Sequence, residues 1–236
     1  MLFDLQSRGR RTAVKIIYLG LAVLMGGGLL LFGVGTGSGI GGFLDVFRGN
    51  GQSTSSQVSS AETSAARQVR LHPQDPRAWY ALAYARVQTA GLGKNYDQTL
   101  NQGQGGFTAS GRQKLVSASS AWQHYLKLDP QNPNVVLARQ MATAYSQIGL
   151  DQPANAASAM EIVTAAQPSY AGYATLAQYA YLANEMRKGD LAAAKAVSLA
   201  PSAQQRLLRN QLDAIKRQVQ QQSGRGGAGG GVVGTG

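Results

Sequence analysis

The chain has 236 residues, enough for one ordinary domain with additional segments. It contains no cysteine, which excludes disulfides, thiolate catalysis and cysteine-ligated zinc or iron–sulfur sites. Lysine and arginine number 22 against 11 acidic residues, and the net charge of +11 favours anionic partners. Nucleic acid is the least favoured of these, because no dense basic run is interleaved with aromatic residues.

The first predicted element is an apolar span. Residues 16–34, IIYLGLAVLMGGGLLLFGV, contain no charged side chain. A helix crossing a bilayer needs roughly 20 apolar residues, and glycine is tolerated in such helices. The sequence therefore predicts a single transmembrane helix over residues 16–34.

The charges around this span predict its orientation. Four basic residues precede it within residues 1–15, and Arg48 is the one basic residue in the 20 that follow it. The positive-inside rule then places residues 1–15 in the cytoplasm and the remainder outside the plasma membrane. A cleaved signal peptide is the alternative, and the paired arginines of GRRTAVK leave a twin-arginine signal open. Each of these alternatives also exports the remainder.

A glycine motif follows the span. Gly37, Gly39 and Gly42 match the pattern G-x-G-x-x-G. A dinucleotide-binding loop needs a preceding strand, a following helix and an acidic residue about 20 positions later. Because an apolar span precedes this motif and a Gly/Ser/Gln-rich segment follows it, we interpret the match as chance and residues 35–56 as a flexible linker.

The rest of the chain is organised by prolines. HPQDPRAW and DPQNPNVV carry prolines at 73, 76, 130 and 133, so the pair recurs after 57 residues. Pro168 and Pro201 follow at intervals of 35 and 33. Periods of 33–35 residues are typical of helical repeat arrays, and the longer interval is read as one repeat plus an insertion. An all-α domain is predicted over residues 57–222.

Helical periodicity fills the intervals between the prolines. Apolar residues recur at helical spacing over 78–89, through KLVSASSAWQHYLKLDP with a stop at Asp129-Pro130, and through NVVLARQMATAYSQIG with a stop at Gly149. Two flanking helices are predicted at 56–71 and 202–222. The last is assigned as a cap with one polar face, with a coiled-coil strand as the alternative. The glycine-rich residues 223–236 are predicted to be disordered.

These residues resemble the tetratricopeptide repeat (TPR) family of helix–turn–helix units. Trp79, Leu82 and Ala83 match the first helix of repeat one, although Arg86 stands where the family has tyrosine. The second helix of that repeat is matched by Ala118, Trp122 and Pro130. Repeat two is matched by Ala138, Met141, Ala142, Tyr145, Gly149, Ala156 and Pro168. Repeat three is matched by Tyr173, Leu176 and Ala177, and its second helix is predicted to be short.

The resemblance implies a TPR-like solenoid whose first helices line a concave, partner-binding groove. The groove residues expected from the repeat register are Arg77, Tyr80, Tyr84, Arg139, Gln178 and Tyr181. The TPR clamp for C-terminal carboxylates uses Lys, Asn and Arg at set positions of this groove. Tyr80, Tyr84 and Thr143 occupy several of those positions here, so that specificity is not carried over.

The insertion in repeat one is a second candidate binding element. Residues 91–111 form a long connection of the kind that is often functional or disordered. Within it, Lys94, Tyr96 and Phe107 are candidate partner contacts.

No constellation for catalysis is found. The acidic residues are scattered, and those beside prolines or glycine are explained as turn and cap residues. His72 and His124 lie far apart in the sequence, so a histidine metal site is not expected. We therefore expect no enzyme activity, no cofactor and no metal.

The expected function is that of a single-pass plasma-membrane protein whose exported TPR-like domain binds other proteins. It would be a scaffold or a chaperone-like accessory factor in secretion or envelope assembly. Self-association is left open. The alternative is a module that binds envelope polymers or anionic lipid through the basic C-terminal face, since residues 187–217 carry seven basic side chains against Asp190 and Asp213.

Overall fold

A computed structural model describes residues 55–100, 105–128 and 130–227, and in these ranges the chain is mostly α-helical. The prediction of an all-α domain is confirmed. The helices are α1 (Ser55–Leu71), α2 (Pro76–Ala90), α3 (Ala109–Lys127), α4 (Val135–Ala144), α5 (Pro153–Ala166), α6 (Tyr170–Leu182), α7 (Met186–Leu199) and α8 (Ser202–Gly227). A 3₁₀ turn (Gly93–Asn95) and two short antiparallel strands, β1 (Tyr96–Asp97) and β2 (Gly106–Phe107), lie between α2 and α3.

Short polar side chains fix where several helices begin. The side chain of Asp75 accepts the backbone N–H of Arg77 at the start of α2, and Pro76 occupies the first turn. Asn134 caps α4 in the same way, and Ser169 caps α6 through the N–H of Gly172. Each of these caps follows a proline by one or two residues. The proline spacing therefore marks the starts of α2, α4 and α6.

Most predicted helices are confirmed, with differences at their ends. The helices predicted at 56–71 and 78–89 correspond to α1 and α2. α4 ends at Ala144, earlier than the predicted stop at Gly149, because residues 145–152 form a tight turn in which the N–H of Leu150 bonds to the carbonyl of Ala144. α7 has the same length as α5, so the prediction of a short second helix in repeat three is wrong. α8 continues through Gly227, beyond the predicted end at 222.

The helices pack mainly against their neighbours in sequence. α1 packs on α2, α2 on α3, α4 on α5, α5 on α6 and α6 on α7. α4 also contacts α2 and α3, and α8 contacts both α6 and α7. Contacts of this kind, between elements close in the chain, are typical of helical repeat proteins.

Alanine dominates the core and permits close helix approach. The largest fully buried side chains are Tyr145, Tyr181, Leu115, Leu137, Met141, Leu212 and Val87. Buried Tyr145 shares a 2.7 Å hydrogen bond with the hydroxyl of Ser119 on α3, so its polar atom is satisfied.

An ionic cluster attaches α1 to the first helix pair. Glu62 on α1 lies 2.9 Å from Nζ of Lys114 on α3 and 3.6 Å from Nε of Arg86 on α2. Arg86 also donates to the carbonyl of Ser117. Arg86 stands at the position where the TPR pattern has tyrosine, and here it ties three helices together.

Several predicted segments lie outside the described residues: the N-terminal residues 1–15, the span 16–34, the glycine motif, most of the linker 35–56, and residues 228–236. Among the helices that the structure describes, none is both long and apolar enough to cross a bilayer.

Candidate functional site

One side of α2 carries the predicted aromatic pair. Arg77 is exposed, and Tyr80 and Tyr84 are half-buried one helical turn apart. Their rings stack with centroids 6.1 Å apart and an interplanar angle of 26°. The ring of Tyr80 also lies 6.2 Å from the ring of Tyr125 on α3. The stacked tyrosines are therefore supported on one side by a ring of the neighbouring helix. Two rings held in this way present a rigid apolar contact area at low entropic cost.

The Tyr80 phenol is influenced by its surroundings in this cluster. Burial, together with the neighbouring phenols of Tyr84 and Tyr125, raises the pKa of the Tyr80 hydroxyl above its usual value. The Tyr125 hydroxyl accepts the backbone N–H of Asn134 at 3.0 Å, which connects the cluster to the start of α4. Because Tyr80 stays protonated at neutral pH, its hydroxyl remains a hydrogen-bond donor.

The predicted groove residues of α4 and α6 lie at different distances from the tyrosine pair on α2. Arg139 is exposed on α4, a helix that contacts α2, and its Nη2 donates to the side chain of Gln167 at 3.1 Å. Gln178 is half-buried on α6, which packs against α5, α7 and α8. The structure thus brings Arg77, Tyr80 and Tyr84 together on one helix beside the helix of Arg139, whereas Gln178 lies on a more distant helix.

The assignment of Tyr181 to an open groove is wrong. Its side chain is 1% exposed, and its hydroxyl donates to Asp190 on α7 at 2.9 Å. The ring occupies the space beside Gly189, where a Cβ would overlap its carbon atoms. Tyr181 therefore belongs to the packing between α6 and α7. The sequence signal for this contact was Gly189 itself, a glycine inside a helical stretch.

Hydrogen bonds join the two ends of the insertion to each other and to the end of α2, and we call this junction the closed base. The amide of Asn95 donates to the carbonyl of Thr89, and the Thr108 hydroxyl donates to the carbonyl of Lys94, both at 2.9 Å. Gly111 lies so close to Asn95 that a Cβ would overlap its carbonyl oxygen. Phe107 is 2% exposed and packs edge-on against Tyr96, so the expectation that Phe107 faces a partner is wrong. Lys94 is exposed.

A cleft that sequence analysis missed lies between α7 and α8. It has a volume of about 440 Å³ and combines small apolar side chains with charged ones. Tyr181 and Leu212 belong to its walls, together with Ala194, Asp190 and Arg209. Asp190 accepts both Tyr181 and Lys216, whose Nζ lies 2.7 and 2.9 Å from the two carboxylate oxygens. Because Asp190 and Lys216 are 26 residues apart, only the packing of α7 on α8 shows that they meet.

No arrangement for metal binding is found in the described ranges, since no three His, Asp or Glu residues there converge. His124 stacks on Trp79 with centroids 3.8 Å apart, and the Trp79 indole N–H donates to the carbonyl of Pro73. His124 is therefore a packing residue of the first helix pair. His72 is exposed in the turn before α2.

Comparison with known proteins gives no relative: no protein-family model, no curated protein and no solved structure matches the chain.

Proposed function

We propose that this chain is a TPR-like scaffold that binds other proteins through the surface formed by α2 and α4. The observation that carries the proposal is the half-exposed, stacked pair Tyr80–Tyr84, which lies beside exposed Arg77. Tyrosine and arginine are among the side chains that most often anchor protein interfaces.

The TPR-like interpretation is supported by a recurring backbone feature. Asp151 and Asn184 have positive φ values of 53° and 61°. Each lies two residues before the second helix of its pair, α5 or α7, and the two are one 33-residue period apart. Left-handed conformations are uncommon outside glycine, so their recurrence at two equivalent turns favours a repeated unit.

Localisation is proposed from the sequence. The uncharged residues 16–34 and the basic residues before them favour a single-pass anchor in the plasma membrane with the helical domain exported. A scaffold of this layout would be an accessory, chaperone-like factor in secretion or envelope assembly. That role is an analogy of architecture.

Site-specific crosslinking tests the binding surface. A photoreactive residue in place of Tyr84 is expected to capture a defined protein from intact membranes, whereas the same residue in place of Ser158, an exposed position on α5, is expected to capture none. Crosslinks that reach only polymer or lipid, or equal capture from both positions, would contradict the proposal.

A truncation variant measures the contribution of the ring to binding. Tyr84→Ala is expected to weaken the captured complex at least about tenfold, as loss of an aromatic anchor commonly does. Because Tyr84 is only half-buried, the helical content and the unfolding midpoint are expected to change little. Unchanged affinity in Tyr84→Ala would show that binding occurs elsewhere.

Topology is tested separately with a reporter fused to the C-terminus. A reporter that is active only outside the cytoplasm is expected. Activity confined to the cytoplasm would contradict the proposed export and would leave the binding surface to be tested in that compartment.

A further inference from the structure

The last two helices form an antiparallel pair whose outer sides lie next to each other. Asp190, near the start of α7, contacts Lys216 in the second half of α8. At the other end, the side chain of Gln205 donates to the carbonyl of Ala200. Ala194 of α7 and Arg209 of α8 both line the cleft between the two helices. Exposed residues of α7 and of the adjoining flank of α8 therefore belong to one continuous surface.

This surface carries uncompensated positive charge. We call it the cationic face and define it by six exposed residues: Arg187, Leu191 and Lys195 of α7, and Arg206, Arg209 and Arg217 of α8. Within the described ranges, none of its five cations has a carboxylate oxygen within 4.0 Å.

Acidic residues also lie near these cations. Asp190 is neutralised by Lys216, which bonds both of its oxygens. Asp213 is exposed, and in the part of the chain that the structure describes its carboxylate has no cationic nitrogen within 4.0 Å, although Nε of Arg217 donates to its backbone carbonyl at 3.2 Å. Glu185, two residues before Arg187, shares the single cation Lys188 with Glu161, which leaves one further negative charge near the face. Five cations against these two negative charges leave a positive surface, which attracts an anionic partner.

The exposed side chain of Leu191 favours a lipid bilayer over a charged polymer as the anionic partner. Its side chain is 75% exposed, the highest value among the large hydrophobic residues of the described chain. On α7 it lies opposite the buried residues Gly189, Ala192 and Ala196, with Arg187 and Lys195 one turn away on either side. An isolated exposed leucine is ordinary, but this one lies between two cations of the same helix, and helices that bind at a lipid interface combine basic side chains with apolar ones.

We propose that the cationic face docks on an anionic lipid bilayer, with Leu191 inserted below the level of the headgroups. The five cations would supply the attraction to the negatively charged surface, and the leucine would supply apolar burial. A purely charged polymer would use the cations but would gain nothing from an exposed leucine. This docking is independent of the protein-binding surface on α2 and α4.

The absence of cysteine provides a direct test, because a single introduced thiol can be labelled. The full chain with Ala194→Cys, one turn from Leu191, would carry an environment-sensitive nitrobenzoxadiazole label. It would be reconstituted in vesicles of phosphatidylcholine alone or with phosphatidylglycerol. We expect a blue shift and an intensity gain of about twofold only with the anionic lipid, reversed by 1 M salt because charge attraction is screened.

The control label is placed at Ser158→Cys, an exposed position on α5 outside the cationic face. It is expected to give the same spectrum in both vesicles. Equal spectra for the Ala194 label in neutral and anionic vesicles would overturn the proposal, as would equal responses of the two labels. A response to soluble polyphosphate but not to anionic vesicles would overturn it in favour of a polymer ligand.

Charge variants test which residues are responsible. Changing all five cations of the face to Gln is expected to lower the docking equilibrium constant at least about tenfold, since each basic residue near an anionic surface contributes independently. The matched control removes five exposed cations elsewhere: Arg67, Arg70, Lys94, Arg112 and Lys127. An equal loss in both sets would show attraction by net charge and would overturn the assignment to this face.

The leucine is tested separately by Leu191→Gln in the Ala194→Cys chain. We expect the blue shift to be reduced at least about threefold while its salt dependence is retained, because the apolar part is lost and the charges remain. An unchanged blue shift would contradict the insertion of Leu191.

Discussion

The two ends of the helical array reach close packing in different ways. Between α2 and α3, contacts are made by rings: Tyr80 lies against Tyr125, and Trp79 stacks on His124. Between α7 and its neighbours the contacts are made by alanine, by Gly189 against Tyr181, and by the Asp190–Lys216 pair. The aromatic end holds rigid side chains at its surface, as the proposed binding role requires, whereas the alanine-rich end brings backbones close and leaves its charges on the outside.

The largest predicted effect disrupts the aromatic end. Gly111→Ala places a Cβ against the carbonyl oxygen of Asn95, which is backbone and has little freedom to move. We expect the free energy of unfolding to fall by about 3 kcal/mol, at the upper end for overpacking. Urea unfolding followed by circular dichroism measures this loss. The control Gly93→Ala has no neighbour within 4 Å but a φ of +53°, and a cost of about 1 kcal/mol is expected from backbone strain alone.

The second prediction concerns alkaline pH at the other end. Desolvation raises the pKa of the half-buried Tyr179 on α6 from 10.0 to about 12. A raised folded-state pKa contributes stability that is complete below pH 10 and is lost as pH rises towards 12, because the unfolded chain then ionises first. We expect a loss of about 2 kcal/mol over this window.

Tyr179→Phe identifies the source of that loss. Unfolding midpoints measured from pH 9 to 12 are expected to fall less steeply in the variant than in the parent chain. Parallel curves for the two proteins would place the alkaline sensitivity on other groups, such as Tyr181, whose pKa is also raised by burial and by its bond to Asp190.

The third prediction tests how α1 is attached to the aromatic end. Glu62→Gln removes the partner of Lys114 and Arg86, and the Glu62 side chain is only 17% exposed. We expect a loss of about 1.5 kcal/mol, between the values typical of exposed and of buried pairs. The control is Glu161→Gln, because Lys188 keeps its contact with Glu185 and a change below about 0.5 kcal/mol is expected. Equal losses in calorimetry would contradict a special role for Glu62.

The smallest predicted effect concerns Asp190 at the alanine-rich end. Its hydrogen bond from Lys216, followed by that from Tyr181, lowers the pKa of its carboxyl below 3.8. A lowered folded-state pKa contributes stability that is present above the unfolded value and lost as the pH falls through the folded value. Since the side chain is about half exposed, Asp190→Asn is expected to cost only about 0.5 kcal/mol at neutral pH. Acid unfolding between pH 5 and 2 should be correspondingly less steep, and an unchanged acid limb would contradict this.

The positions of the helices could be predicted from the sequence because the residues that begin and end them are close together in the chain. Asp75, Asn134 and Ser169 lie next to prolines and begin helices by capping, which a single sequence displays directly. The sequence did not predict that the side chains of Tyr181 and Phe107 are buried. The burial of Tyr181 depends on Gly189 in the next helix, and that of Phe107 depends on the pairing of β1 with β2. The α7–α8 cleft was also missed, since Asp190 and Lys216 meet only after the helices pack.

The closed base of the insertion has a consequence for how this chain tolerates change. Asn95, Thr108 and Gly111 join the start of the insertion to its end, and the N–H of Gly105 bonds to the carbonyl of Leu100 within it. A segment enclosed by such a junction can be lengthened, shortened or exchanged without altering the geometry that α2 and α3 impose on each other. The insertion is therefore a suitable site for introducing an epitope or a reporter into the middle of the array.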